Sequence, residues 1–406
     1  MFIPDYIKKI TDILYDAGEE AYLVGGCVRD SIMGKTPNDY DIAVSCEPKR
    51  TEELLDGFRV IETGIKHGTV TVVANGNNVE LTTFRVDGEY LDNRRPENVF
   101  FTRSITDDLA RRDFTVNAIA YSEKVGFTDP FGGKDDIKKE IIRCVGSPDK
   151  RFNEDSLRIV RGMRFSSVLG FSVDEKTADS MIKNRGLLEN IAGERIFVEM
   201  KKLLVGKNNV EVLLNFDSVM CQVFPELELL SPVDRHKSYK RILGADCPET
   251  AFAAVFYNLP KEKTEDALRR MKTDNAFRSS VLRLIMSCRE YEEKSREQGN
   301  GDREKTAYMR LFTGKYGKNA AIKLVDMLRR TNGGDDTAVR FVENGFEGAI
   351  SQDKLSVNGS DMKKLGIDGA AIGKMLDRLT QLVALGELEN QKNALLSFTR
   401  QAIIKE

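Results

Sequence analysis

The chain has 406 residues and a mass of 45.7 kDa, with 41% hydrophobic and 31% charged residues. That is enough for about two to four domains with packed cores, and bulk disorder is not expected. No apolar run approaches the ~18 residues that cross a bilayer, so no transmembrane span is expected.

Asp5, Lys8, Lys9 and Asp12 interrupt the first stretch, which reads as an amphipathic helix and not as a secretory leader. Six cysteines lie far apart without a CxxC pair, the pattern of reduced thiols in a cytoplasmic protein. Only His67 and His236 are present, so metal centres built on clustered histidines are excluded. The formal charge of −2 hides an asymmetry. Residues 1–100 carry 11 Lys+Arg against 18 Asp+Glu, and residues 261–330 carry 18 against 11. On charge alone, solvated helix faces explain this more simply than a bound polyanion.

Residues 20–145 read as mixed α/β. Ala21–Val24 is a short apolar strand running into Gly25-Gly26, and Tyr40–Val44 alternates. Gly68–Val73 and Val79–Phe84 flank the turn signal Asn75-Gly76 and predict a hairpin. Short helices are predicted at Val28–Met33 and Arg50–Leu55. Beyond residue 150 strand signals nearly vanish, and helical spacing takes over in Ser156–Leu169, Ala178–Asn190 and Glu194–Val205. Gly146-Ser147-Pro148 reads as a hinge, Ser295–Arg303 as a polar linker and Thr331–Asp336 as a loop. The fold class is therefore α+β: a mixed sheet with helices, followed by an all-helical remainder.

Three constellations bear chemistry. In the first, a strand ends in Gly25-Gly26, whose backbone amides can approach a phosphate without Cβ interference, and Arg29 adds charge. Asp39 and Asp41, one residue apart on an expected strand, project from one face. Such a pair suits Mg²⁺, and Glu80 on a neighbouring strand is either a third carboxylate or an exposed strand residue. The second is Arg111-Arg112-Asp113-Phe114-Thr115-Val116-Asn117, fit for a phosphate and a ribose hydroxyl, or simply a capped helix with surface arginines. The third is Asn153-Glu154-Asp155-Ser156-Leu157-Arg158, opening the first long helix, with Arg161 and Arg164 following. Asp155 and Arg158 form either an ordinary ion pair or a reader of bases. A carboxylate beside a guanidinium matches the amino and ring-nitrogen edge shared by cytosine and adenine, and rejects uracil and guanine.

Together GGCVRD, NDYDIAV, VELTTFR, RRDFTVNAIAY, DPFGGKDDI, RFNEDSLRIVRGMRF and the GERI of Gly193–Ile196 resemble the class II tRNA nucleotidyltransferases of the polymerase β superfamily. The match is dense over residues 20–200; Val357–Asp361, Gly366, Ile372-Gly373 and Gly386–Asn390 resemble the tail of bacterial members. The resemblance implies a catalytic head (1–147), a base-reading neck (148–206), and a helical body (207–300) and tail (301–406) that bind tRNA. It implies CTP and ATP as substrates, Mg²⁺ at Asp39 and Asp41, and work in the cytoplasm without a membrane. Gly25, Gly26, Arg29, Arg111, Asp113 and Asn117 fall in the nucleotide's phosphate and ribose motifs. Asp155 and Arg158 match the base template, with Glu154, Arg161 and Arg164 in the same block.

Relatives that add only poly(A), only CC or only A share these motifs. An Asp-x-Asp glycosyltransferase, which gives RRD and EDxxR no role, and a non-catalytic RNA-binding protein are the remoter readings. The charged stretch RVDGEYLDNRRPENV resembles the flexible loop of full CCA-adding members. Deleting Asp87–Pro96 is expected to stop product growth after two cytosines; gel-resolved products that still gain adenine would refute this.

Overall fold

The computed structural model describes residues 1–88, 99–296, 301–332 and 335–405. They divide into two compact units, Met1–Leu229 with Arg270–Lys272, and Leu230–Arg269 with Thr273–Glu406. The expected head and neck both lie in the first unit.

The first unit begins with helix α1 (Asp5–Asp16), whose Ile7, Ile10 and Leu14 are buried at helical spacing. Strand β1 (Ala21–Val24) leads through Gly25 into α2 (Gly26–Ile32), followed by β2 (Asp41–Val44), α3 (Pro48–Leu54) and β3 (Arg59–Gly64). The expected hairpin is β4 (Thr69–Ala74) with β5 (Asn77–Thr83), paired antiparallel from Thr69–Thr82 to Ala74–Asn77. Asn75 and Gly76 both have positive φ, 50° and 76°, as a twisted two-residue turn requires. Then come β6 (Arg85–Asp87), β7 (Val99–Phe101), α4 (Ile105–Ala110), β8 (Ala120–Ser122), β9 (Gly126–Thr128) and α5 (Gly133–Lys139).

Seven strands form one sheet in the order β3-β4-β5-β2-β1-β8-β9. All neighbours are antiparallel except β2 and β5, which run parallel with Asp41 beside Glu80. Because β1 and β2 lie centrally, β1 is buried throughout and β2 from Ile42 to Val44, so the expected alternation is absent. Asp39 precedes β2 and does not belong to it. β6 pairs with β7, Asp87 opposite Val99, and brackets the charged stretch whose residues 89–98 lie outside those described.

After β10 (Ile141–Ile142) the unit turns helical, with α6 (Pro148–Glu154), α7 (Leu157–Leu169), α8 (Glu175–Lys183) and α9 (Gly193–Leu204). One strand interrupts them: β11 (Ser172–Val173) pairs parallel with β10, a strand that the helical periodicity conceals. The expected hinge is instead a helix start. Ser147 is extended and Pro148 takes the first turn of α6, where its fixed φ suits the helix and its missing N–H is not needed. The helix expected over Ala178–Asn190 begins earlier, at Glu175, and gives way to 3₁₀ turns over Arg185–Asn190. Gly162 stands mid-helix in α7 because a methyl there would meet the Phe114 ring at 3.0 Å.

The second unit is helical. Its C-terminal part packs Leu355, Val357, Met362, Leu376, Leu379 and Leu395 around helices Gly359–Lys364, Ala370–Ala384 and Lys392–Lys405. Asn358 and Asp361, in the tail-like motif, close a capping box on the first of these.

The two adjacent glycines of DPFGGKDDI differ in kind. A Cβ on Gly133 would lie 2.1 Å from the Thr115 carbonyl, while Gly132 has open space but φ +73°. Gly133→Ala is expected to lose on the order of 3 kcal/mol, and Gly132→Ala about 1 kcal/mol; urea midpoints of the two variants check this order.

Candidate functional site

A cleft of about 1040 Å³ opens on the first unit, and the residues proposed above for catalysis or nucleotide binding line it, Glu80 and Glu154 excepted. Gly25 and Gly26 stand at one wall, with Gly25 at φ +73° and ψ −129°, a conformation open only to glycine. A Cβ on Gly25 would meet Arg112 at 3.3 Å, so the bare turn also makes room for a guanidinium. Arg29, on α2, donates to Asp30 at 2.8–2.9 Å and to the Asn117 Oδ1 at 2.6 Å.

Asp39 and Asp41 line the cleft, and Asp41 opens onto it at the head of β2. Surrounding protein, then the charges of Glu80 and Asp39, push the Asp41 carboxyl up to about 6, against a smaller pull from Arg112. Water reaches Asp41, yet it is flanked by two like charges. Glu80 adjoins Asp41 across the parallel strands but does not line the cleft. Among the described residues no three His, Cys, Asp or Glu gather as a metal cage. A cation here would therefore take two carboxylates and fill its shell from elsewhere.

Arg111 and Arg112, at the C-terminal end of α4, share the buried Asp108 at 2.7 and 3.0 Å. Burial alone would raise the Asp108 carboxyl, but the two arginines hold it below its usual range. Asp113 accepts from the Phe114 N–H at 2.9 Å and from Arg161 at 2.6 and 2.8 Å. Burial opposes its ionisation, and Arg161 overrides that to bring it down to about 2. Arg164 bonds Glu199 at 2.5 Å and lies 3.7 Å from the centroid of Phe165. Arg161 and Arg29 approach the same ring at 5.4 and 5.6 Å, so one buried phenyl supports three guanidiniums.

The third constellation differs from its expectation. Asp155 does not open a helix beside Arg158; it breaks the chain between α6 and α7, extended at φ −141° and ψ 102°. Its Oδ1 accepts from the Leu157 N–H at 3.2 Å, capping α7, and its Oδ2 accepts from Arg195 at 3.0 Å. Arg158 pairs with Glu154 at 2.9 Å and donates to the Arg111 carbonyl at 3.0 Å. The two side chains thus line one cleft without bonding each other. The Asp155-Ser156 step before an apolar run is the sequence signal for this helix start.

Arg112, offered with Arg111 for a phosphate, lines the cleft as well. Sequence reasoning missed the role of Arg195 within GERI, and Lys202 and Lys207 beyond it; nothing local to these three points to the cleft.

Family models match three segments: a poly(A) polymerase head domain over residues 21–143, a probable RNA- and SrmB-binding site of polymerase A over 170–230, and a tRNA nucleotidyltransferase domain 2 over 247–399. The CCA-adding enzyme of Streptococcus agalactiae serotype V is 34% identical over 99% of both chains. The chain belongs to the CCA-adding enzymes. It is accordingly a nucleotidyltransferase. The CCA-adding enzyme of Streptococcus mutans is 36% identical, covering 95% of this chain and 94% of its own. Among solved structures, the Bacillus stearothermophilus CCA-adding enzyme in complex with CTP has a TM-score of 0.80 and 28% identity, covering 99% of both chains. The Thermotoga maritima CCA-adding enzyme complexed with tRNA has a TM-score of 0.73 at 19% identity, a likeness of fold.

The Asp113–Arg161 pair ties this CCA-adding enzyme's α7 to the segment after α4. Asp113 titrates lower folded than unfolded, so its stabilisation is present above about pH 4 and lost as pH falls through about 2. Asp113→Asn should lower stability by about 2 kcal/mol at neutral pH, and the deficit should shrink in denaturant titrations carried toward pH 2.

Proposed function

We propose that this enzyme adds C, C and A to the 3′ end of tRNA from CTP and ATP, releasing pyrophosphate. The observation that carries the reading is the arrangement of Asp155 and Arg158. Each is held by its own opposite charge, Arg195 and Glu154, and both face the cleft that contains the carboxylates and the glycine turn. A fixed acceptor beside a fixed donor reads cytosine and adenine alike and leaves both partners unmatched by uracil or guanine.

The remaining roles follow from position. The amides of Gly25 and Gly26 and the Arg29 guanidinium receive the triphosphate. Arg111 and Arg112 present further donors, already charge-balanced by Asp108. Arg161 and Arg164, set by Asp113, Glu199 and the Phe165 ring, line the wall between the phosphates and the base. Asn117 steadies Arg29, and Asp113 anchors Arg161 at the ribose side of the cleft.

Asp39 and Asp41 are proposed to hold Mg²⁺. The fit rests on the donor set: two oxygen ligands, one of them raised to about 6 by neighbouring negative charge, gain from a hard cation. Asp39 and Asp41 would hold the ion, which would supply acidification of the attacking 3′-hydroxyl and charge balance for the leaving pyrophosphate. Among the described residues no helix is long and apolar enough to cross a membrane. The enzyme is proposed to act in the cytoplasm.

The test supplies tRNA ending at its discriminator base with each nucleotide singly and in mixture. Two cytosines followed by one adenine are expected, and long adenine runs from ATP alone would favour poly(A) addition instead. Exchanging the pair, Asp155→Arg with Arg158→Asp, should erode the preference for CTP and ATP over UTP and GTP by at least about tenfold. Undiminished discrimination would overturn the reading. Because protons compete for Asp41, the Mg²⁺ concentration for half-maximal transfer should rise as pH falls through about 6, and Asp41→Asn should abolish transfer.

A further inference from the structure

Phe165 lines the cleft from α7, yet it is only 6% exposed. Three guanidinium carbons surround its ring: Arg164 at 3.7 Å from the centroid, Arg161 at 5.4 Å and Arg29 at 5.6 Å. Two of these arginines belong to α7 itself, while Arg29 belongs to α2, just after the glycine turn. The fully buried Phe114 meets the Phe165 ring edge to face, with centroids 5.8 Å apart. Gly162, three positions earlier on α7, leaves the room that Phe114 occupies. The ring is therefore seated by packing that touches no ligand.

Carboxylates alone do not account for so many like charges in one place. Asp30 serves Arg29 and Asp113 serves Arg161, but Glu199 is divided, 2.5 Å from Arg164 and 3.8 Å from Arg161. Burial pushes the Arg164 guanidinium down from its usual value; Glu199 opposes that, and the charge of Arg161 adds to it. Arg164 is also the one nearest the ring. A phenyl face carries the negative part of its quadrupole, so it favours a cation without occupying any N–H donor. A guanidinium stacked there keeps those donors for phosphate oxygens.

We propose that Phe165 is a positioning residue for the triphosphate: its ring electrons hold Arg29, Arg161 and Arg164 together so that their N–H groups meet phosphate oxygens as one set. The inference rests on the nucleotide reading above. It adds that an uncharged side chain, acting through the arginines, sets affinity for the phosphate end common to CTP and ATP. An aliphatic residue of similar bulk would fill the space but leave three cations facing one another across it.

The test places phenylalanines bearing one, two and three fluorines at position 165, which drains the ring face of electron density while nearly keeping its shape. Phe165→Leu removes the face altogether. Transfer to tRNA is measured with CTP and with ATP, together with the inhibition constant of pyrophosphate, a ligand with phosphates and no base. The KM for both nucleotides should rise stepwise with fluorine count, to at least about threefold with three, and by about tenfold in Phe165→Leu. The pyrophosphate constant should rise in parallel, while the preference for CTP over UTP and the KM for tRNA stay within about twofold of the parent. A purely packing role would give no such steps. A flat fluorine series overturns the proposal whether or not Phe165→Leu folds. So does a lost CTP preference at unchanged KM, which would assign the ring to the base. If the parent enzyme transfers nothing to tRNA, the proposed function fails. The ring is then read by equilibrium dialysis of radiolabelled CTP: binding that weakens along the fluorine series supports it, and equal or absent binding overturns it.

Discussion

The cleft depends on one electrostatic constraint: its guanidiniums must be neutralised from behind while their faces stay open in front. Arg29 has Asp30, Arg111 and Arg112 share Asp108, Arg158 has Glu154, Arg161 has Asp113, Arg164 has Glu199 and Arg195 has Asp155. Without those carboxylates so many cations around one cavity would repel each other and favour opening. With them, each guanidinium still has donors to spare, because five N–H groups exceed what one carboxylate takes. The ligand meets donors that are already oriented, so little reorganisation opposes binding.

Two carboxylates answer to a different logic. Among the described residues Asp39 and Asp41 make no ion pair with an arginine, and Asp41 is raised by what surrounds it despite the smaller pull of Arg112. Asp113, a few residues from Arg111, is driven the other way by Arg161. Carboxylates of the same type thus serve opposite ends within one cleft. One set is kept charged by arginines and serves as scaffold, while the other is left short of cations and open to a metal.

Helix α7 organises the rest. Its start is set by Asp155, whose Oδ1 caps the first turn while Oδ2 takes Arg195, so one residue both begins the helix and faces the cleft. Gly162 admits the Phe114 ring against the helix, which brings the Asp113 segment alongside Arg161. The helix end at Gly170, left-handed at φ +78°, lies under Lys207. Base reader and phosphate-side arginines therefore follow one another along a single face of α7.

Local chemistry made the centre of this site legible in the sequence. Gly25-Gly26 after a strand, the Asp39/Asp41 spacing and the EDxxR block each depend on neighbours within a few residues, and the hairpin at Asn75-Gly76 follows from turn sterics alone. The partnerships were not legible, because they join residues far apart: Arg161 with Asp113, Arg164 with Glu199, Asp155 with Arg195. The i,i+3 spacing of Asp155 and Arg158 pointed to a pair on one helix face, but the chain breaks there and gives each a separate counter-charge. Residue order determined which functional groups exist and where strands and turns form, since backbone preference and short-range hydrogen bonding act within a few residues. Which distant cation Asp113, Asp155 and Glu199 neutralise was decided only when α7 packed against α9 and against the segment after α4, bringing those charges within hydrogen-bond reach.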